Sequence, residues 1–388
     1  MKTNATIDAL LQDAVQSGDI AGVSATAATA DGLLYEGAAG TREIGQDRPM
    51  KPDTIVWIAS MTKAVTGAAA MQLVERGKLK LDQPAAEIVP ELAKTQVLDG
   101  FDAAGKPQLR APKRPITLRN LLTHSSGFSY TIWDEKALRY EQSTNAPNIL
   151  AGTRASIDVP LMHDPDAQWS YGPGIDWAGR LVEEASGQRL GAFMKENLFD
   201  PLGMSSTAFD LTPQQQARAS SVHARLPDGG LAVMPFALPK DAELQAGGHA
   251  LYSTAPDYLK FTQMILGGGS LGGVRVLKPE TVQAMSRNQM GDLRVRFCKT
   301  VAPAYSYDCE FYPGIPCTWG LSFLINTQVT PEGRSAGSLS WAGLSNCYYW
   351  IDPVKKVTGV LMTQSLPFFD PKAMKLFRAF ETAVNRAA

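Results

Sequence analysis

Apolar residues recur at helical spacing near both ends of the chain. Ile7, Leu10, Leu11, Ala14 and Val15 share one face of an amphipathic helix, and Met374, Leu376, Phe377, Phe380 and Val384 do the same near the C-terminus. Just inside these helices the period changes. Small apolar and polar residues alternate from Gly22 to Gly40 around Asp31-Gly32, the chemistry of a tight hairpin. Trp319 to Gln328 and Ser335 to Gly343 read as strands around Pro331-Glu332-Gly333. Cys347 to Ile351 and Val357 to Gln364 read likewise around Asp352-Pro353. Strands at both ends with short turns predict one antiparallel sheet with the terminal helices packed on a face.

The middle follows the helical period. Helices are predicted at Ser60 to Gly77, Thr117 to His124, Gly174 to Ala185, Leu190 to Leu198 and Ala255 to Leu266. Long loops at Pro90 to Pro115 and Gly127 to Trp169 separate some of them, and loops of that length are usually functional or lid-like. The predicted class is therefore α/β of the α+β kind. Residues 1–85 and 245–388 would build the sheet lobe and residues 86–244 a mainly helical lobe, with a cleft between them.

Composition narrows the function classes. The chain has 388 residues, 44% hydrophobic and 19% charged, which suits a folded core and argues against disorder. A net charge of -1 argues against a nucleic-acid partner, which calls for a basic surplus. No run of apolar residues approaches a membrane span, and the N-terminus has no signal-like apolar core, so the expected compartment is the cytoplasm. Cys298, Cys309, Cys317 and Cys347 lack metal-ligand spacing and read as free thiols. The basic cluster Arg110, Lys113, Arg114 and Arg119 is short and Pro-interrupted, as in a solvated loop.

Three segments carry chemistry. Ser60-Met61-Thr62-Lys63 lies between the strand-like Thr54 to Ile58 and the helical Ala64 to Arg76, with Gly77 placed to stop the helix. One helical turn puts Ser60 and Lys63 on the same face. A serine needs an adjacent base to attack, and a lysine desolvated beside it can be that base. Tyr171, in Trp169-Ser170-Tyr171-Gly172-Pro173-Gly174 before a helix, is placed to project its hydroxyl into a cleft. Trp341-Ala342-Gly343 ends a strand, where small residues allow close approach of a ligand to backbone N–H donors.

Together these segments resemble the three signatures of the serine β-lactamase and penicillin-binding protein superfamily. Leu121-Leu122-Thr123-His124-Ser125-Ser126-Gly127, Pro201-Leu202-Gly203-Met204 and Gly247-Gly248-His249-Ala250-Leu251-Tyr252-Ser253-Thr254 extend the likeness from about Thr6 to the last helix. They are similar to class C β-lactamase-like proteins, above all the family VIII carboxylesterases and related acyltransferases. The resemblance implies a β-lactamase/transpeptidase-like fold and a Ser60 acyl-enzyme. It assigns Lys63 and Tyr171 a shared general-base role, and backbone N–H groups of Ser60 and Leu344 the oxyanion hole. It implies no metal and no organic cofactor. Two departures bear on substrate. Pro173 stands where class C enzymes have Asn, and Trp341 where they have the Lys that holds a lactam carboxylate. The expected substrate is thus a neutral, fairly hydrophobic small-molecule ester, of short- to medium-chain or aryl type, hydrolysed by a carboxylesterase. Acyl transfer and a β-lactamase or penicillin-binding role are the alternatives. The oligomeric state is left open.

Trp341, Ala342, Gly343, Phe128, Tyr130, Trp133 and Tyr312 are expected to line the substrate cleft, alongside Phe311 and Trp319. Three further patterns are read as structural. Gly268-Gly269-Ser270-Leu271-Gly272 matches a nucleophile elbow but follows a helix rather than a strand. His124 closes the Thr117-capped helix, and His163-Asp164-Pro165-Asp166 is a surface turn rather than a cation site.

Overall fold

The structure is a computed structural model and describes residues 2–387. Seven strands form one antiparallel sheet: β1 (Gly22–Thr29), β2 (Leu33–Gly40), β3 (Cys317–Trp319), β4 (Leu324–Asn326), β5 (Leu339–Gly343), β6 (Cys347–Asp352) and β7 (Val357–Met362). Their spatial order is β3-β4-β5-β6-β7-β1-β2. The two ends of the chain therefore meet in the sheet, Ser24 opposite Met362 and Thr29 opposite Val357.

The principal helices are α1 (Lys2–Gln16), α2 (Thr62–Glu75), α3 (Leu118–Thr123), α4 (Glu135–Thr144), α5 (Gly174–Ser186), α6 (Ala255–Leu266) and α7 (Pro371–Ala387). Alternation along β6 sorts the layers. Tyr348 and Trp350 pack with Ile7 and Leu11 of α1 and Phe377 and Phe380 of α7. Cys347, Tyr349 and Ile351 face the opposite way, into the core shared with α2 and α6. Both faces being covered, every residue of β5, β6 and β7 is buried. Residues Thr62 to Leu73 of α2 are also buried all round, so this helix runs through the core and its start is held from every side. No helix among the described residues is long and apolar enough to cross a membrane.

Several local expectations change. The run from Trp319 is two strands, not one, because Gly320 lies against the Met285 carbonyl and Ser322 takes φ 76, turning the chain between β3 and β4. The Pro90 to Pro115 loop contains a hairpin, Val97–Phe101 with Pro107–Arg110. The Gly127 to Trp169 loop contains α4, capped by Asp134, whose carboxylate accepts from Lys136 and Ala137 N–H. Only Ala137 of α4 is buried, so no apolar stripe announced it. The helix from Leu190 passes from α-helix into a π-turn at Lys195–Phe199.

The basic loop is not merely solvated. Arg110 clasps Asp164 and Asp99, Arg114 holds Asp166, and Arg119 holds Asp82, so the two charged motifs are largely each other's partners. Arg110 holds the Asp164 carboxyl down at about 2. The Gly268–Gly272 segment belongs to a two-stranded turn, Ser270–Leu271 with Val274–Arg275, and is no nucleophile elbow.

Candidate active site

Ser60 sits in a single 3-10 turn, Ala59–Met61, that leads directly into α2. Ala59 takes φ 43, an uncommon conformation for a residue with a side chain, and such backbone strain concentrates at functional sites. The turn leaves Ser60 partly exposed at the positive end of a buried helix. Gly343 allows β5 to close on it, since a Cβ there would sit 2.2 Å from the Ile58 carbonyl oxygen. The β4 ladder covers only Leu339 and Ser340, and of the residues beyond it Trp341, Ala342 and Leu344 border the cleft, whereas Gly343, expected to line it, packs against Ile58 instead. Among the described residues, neither the Ser60 nor the Leu344 N–H donates to a backbone acceptor.

Lys63, wholly buried, donates to Ser60 Oγ at 3.2 Å, to Tyr130 Oη at 3.0 Å and to the Gly248 carbonyl at 2.8 Å. All three ammonium protons thus meet neutral acceptors. Burial, against an opposing pull from Asp176, lowers its pKa to about 7. Asp176, buried on α5, accepts the Gly248 N–H at 2.8 Å, and the Tyr130 hydroxyl donates to it at 3.4 Å. His249 Nδ1 lies 3.5 Å from it. Burial pushes the Asp176 carboxyl up, but His249, Lys63 and the Gly248 N–H together hold it below its ordinary value. A Cβ on Gly248 would lie 2.3 Å from Asp176 Oδ2, so glycine is what lets this peptide lie between carboxylate and amine.

Tyr171 reaches the same centre. Gly172 lies flat on the Phe128–Ser129 backbone, where a Cβ would come within 2.3 Å of the Phe128 oxygen. The Tyr130 N–H then donates to the Tyr171 carbonyl at 3.0 Å, which sets the two rings side by side at 5.2 Å. Lys63 Nζ lies 4.7 Å from the Tyr171 ring centre. Trp341 Nε1 donates to Tyr171 Oη at 2.9 Å. Burial drives the phenol well above its ordinary pKa, and the neighbouring Ser60 hydroxyl and Trp341 N–H only partly offset this. Tyr171 is therefore a neutral phenol at pH 7. His124 indeed ends α3, with φ 58, and its ring packs 4.7 Å from that of Tyr171.

A cavity of about 330 Å³ opens beside Ser60, bordered by Trp133, Tyr171, Tyr312, Trp341, Ala342 and Leu344. The segment Val295 to Cys317 forms its other wall, with Cys298, Cys309 and Cys317 as free thiols. Tyr312 is fixed there by Arg334, which donates to its hydroxyl and is itself paired with Glu381. Three aromatic rim expectations are corrected. Trp319 is core: it is wholly buried, donates to the Leu122 carbonyl at 3.1 Å and borders neither cavity beside Ser60. Phe128 is core: it is 1% exposed, stacks on Trp177 and borders neither cavity beside Ser60. Tyr130 is more than an apolar rim, because its hydroxyl bridges Lys63 and Asp176. Tyr130, Asp176 and the Gly248 carbonyl are the members of this network that motif reading passed over as polar partners of Lys63. The Gly247-Gly248-His249 run was the available signal.

The family model described as beta-lactamase matches residues 7–383. The chain belongs to the β-lactamase family. It is 32% identical over 376 residues to the lovastatin esterase of Penicillium rubens (strain ATCC 28089 / DSM 1075 / NRRL 1951 / Wisconsin 54-1255), covering 93% of this chain and 92% of that protein. It is 31% identical to the monacolin J acid methylbutanoyltransferase of Aspergillus terreus (strain NIH 2624 / FGSC A1156), covering 97% and 94%. Among solved structures, a mutant simvastatin synthase from Aspergillus terreus superposes with a TM-score of 0.86 at 32% identity, covering 98% of this chain and 94% of that one. This β-lactamase-family chain is thus an enzyme with the mixed α/β, antiparallel-sheet fold of its relatives.

Proposed function

We propose that the protein is a serine carboxylesterase of the family VIII, S-x-x-K type, cleaving neutral esters through an acyl-enzyme on Ser60. The observation that carries this reading is the Lys63 amine, wholly buried, 3.2 Å from Ser60 Oγ and hydrogen-bonded to no carboxylate. With its pKa lowered to about 7 it is a base at neutral pH, matched to the task. Lys63 takes the Ser60 proton as Oγ attacks the ester carbonyl. The Ser60 and Leu344 N–H groups receive the oxyanion, a contribution of about 3 kcal/mol per donor in such sites. Tyr171, a neutral phenol, serves as proton donor to the departing alcohol rather than sharing the base role, with the proton on Lys63 as the net source. Water then releases the acid.

Trp341 supports a neutral substrate. Its indole N–H is spent on Tyr171 Oη, and it offers no cation to a lactam carboxylate. The relatives also favour a second reading, since a methylbutanoyltransferase and an esterase are similarly close. In that reading an alcohol acceptor replaces water in the second step, with every residue role unchanged. Ser60→Ala is expected to abolish turnover of 4-nitrophenyl butyrate while the circular dichroism spectrum stays native. Persistent wild-type turnover would remove Ser60 from the mechanism. Product analysis with added alcohols separates hydrolysis from transfer, and a cephalosporin cleaved as fast as the butyrate ester would return the site to lactams.

A further inference from the structure

A second, smaller cavity of about 40 Å³ meets the larger one at Ser60. It is bordered by Trp57, Tyr130, Ile132, Ile149, Leu150 and His249, and shares Ser60, Trp133 and Leu344 with its neighbour. We infer that this fork divides the substrate, the small cavity taking the acyl chain and the large one the alcohol. The inference rests on the acyl-enzyme reading above.

An ester held with its carbonyl oxygen at the Ser60 and Leu344 N–H groups sends its two arms to opposite sides of Ser60. The departing oxygen needs a proton, and geometry must supply the donor within hydrogen-bond reach. Tyr171 borders the large cavity and not the small one, whereas the small cavity's own phenol, Tyr130, directs its proton to Asp176 and accepts from Lys63, so it has none free for a departing oxygen. The alcohol therefore lies on the Tyr171 side, against Trp341 and Phe311, and the acyl chain lies opposite. The small cavity is apolar on its Ile132, Ile149 and Leu150 side. Its floor is rigid, because Trp57 donates to the His249 carbonyl at 2.6 Å and stacks on Phe236 at 4.5 Å. One water-sized group needs about 10–15 Å³ of such space, so this cavity holds about three carbons beyond the carbonyl. The substrate class is a short, neutral aliphatic acyl group, butyryl or smaller, on a bulky alcohol. Once that alcohol departs, the large cavity it vacates also receives the acceptor, so donor alcohols and acceptors share one size ranking.

The test pairs two ester series on the native enzyme. With 4-nitrophenol fixed, kcat/KM is expected to hold from acetate to butyrate and fall at least tenfold by octanoate. With acetate fixed, changing the alcohol from ethanol to a naphthol should not lower it. Leu150→Trp should cut the butyrate-to-acetate ratio of kcat/KM at least tenfold, and Leu150→Ala should raise the octanoate-to-butyrate ratio. Octanoate outpacing butyrate, or naphthyl esters failing while long acyl chains succeed, would overturn the division. Should Leu150→Trp not fold, the two native series decide alone. Mass spectrometry of the quenched enzyme separates the two levels: no acyl adduct on Ser60 defeats the mechanism, whereas an adduct with the wrong length ranking defeats only the fork.

Discussion

Among the described residues Lys63 and Arg334 are fully buried basic side chains, and they are treated in opposite ways. Arg334 is clamped by both Glu381 carboxylate oxygens at 2.7 Å, and also donates to Tyr312. Burial works against its charge, but the buried Glu381 overrides this and raises its pKa. Lys63 is given only a hydroxyl, a phenol and a carbonyl, with the nearest carboxylate one hydrogen-bonding group away. Desolvation then prevails, and its pKa falls to about 7. The partner decides whether a buried cation is a fixed strut or a titrating base.

Exchanging the character of either residue is the hardest test of that contrast. Lys63→Met, which keeps length but removes the amine, is expected to lower kcat/KM for 4-nitrophenyl butyrate by about 10³-fold, in the range of general-base losses, with little change in melting temperature. Arg334→Met should do the reverse. It strands Glu381 as an uncompensated buried carboxylate and costs about 3–5 kcal/mol in chemical denaturation, whereas the double variant Arg334→Met/Glu381→Met should recover most of that loss. A double variant as unstable as the single one would show that packing, not charge, is at stake.

The titration itself sharpens the comparison. Only the unprotonated amine accepts the Ser60 proton, so kcat/KM should rise with pH through about 7 and level off above it. Asp176 pulls the Lys63 pKa upward, so Asp176→Asn should move that rise to lower pH. Of the other groups facing Lys63, Ser60, Tyr130 and Tyr171 are neutral hydroxyls and His124 is an imidazole whose charged form burial and Lys63 both disfavour. A profile unmoved by Asp176→Asn would mean that this carboxylate acts only by holding the Gly248 peptide. The smallest effect concerns Trp341→Phe, which deletes the N–H on Tyr171 Oη. A neutral hydrogen bond contributes about 1 kcal/mol, so a loss of about fivefold in kcat is expected, with Tyr171 still buried.

The architecture was legible because periods of two and of about 3.6 residues survive wherever one face is buried. It failed at α4, whose single buried residue leaves no stripe, and at the β3–β4 turn, which depends on where Met285 happens to lie. Ser60, Lys63, Tyr171 and Trp341 could be picked out because their neighbours carry turn and helix-start signals. Asp176 could not, being one acidic residue on an amphipathic helix, and neither could the Gly248 carbonyl, which has no side chain to read. Phe128 was misplaced for the converse reason: an aromatic beside a motif looks like a rim until its stacking on Trp177 is seen. The Arg334–Glu381 clamp spans 47 positions, beyond any local pattern.

The pairing of β1 with β7 also has a consequence for how the enzyme comes into being. During synthesis Ser60 and Lys63 leave the ribosome early, while Leu344 and the strand that completes the sheet arrive some 280 residues later, at about 5–20 residues per second. Until then β1 and β2 are a hairpin whose β1 edge, the one β7 will pair, is open and whose apolar face is uncovered. The nascent chain must carry that edge unpaired for tens of seconds. Vectorial synthesis thus makes this sheet the last part of the molecule to close, and its open edge the place where chaperone capture and aggregation compete.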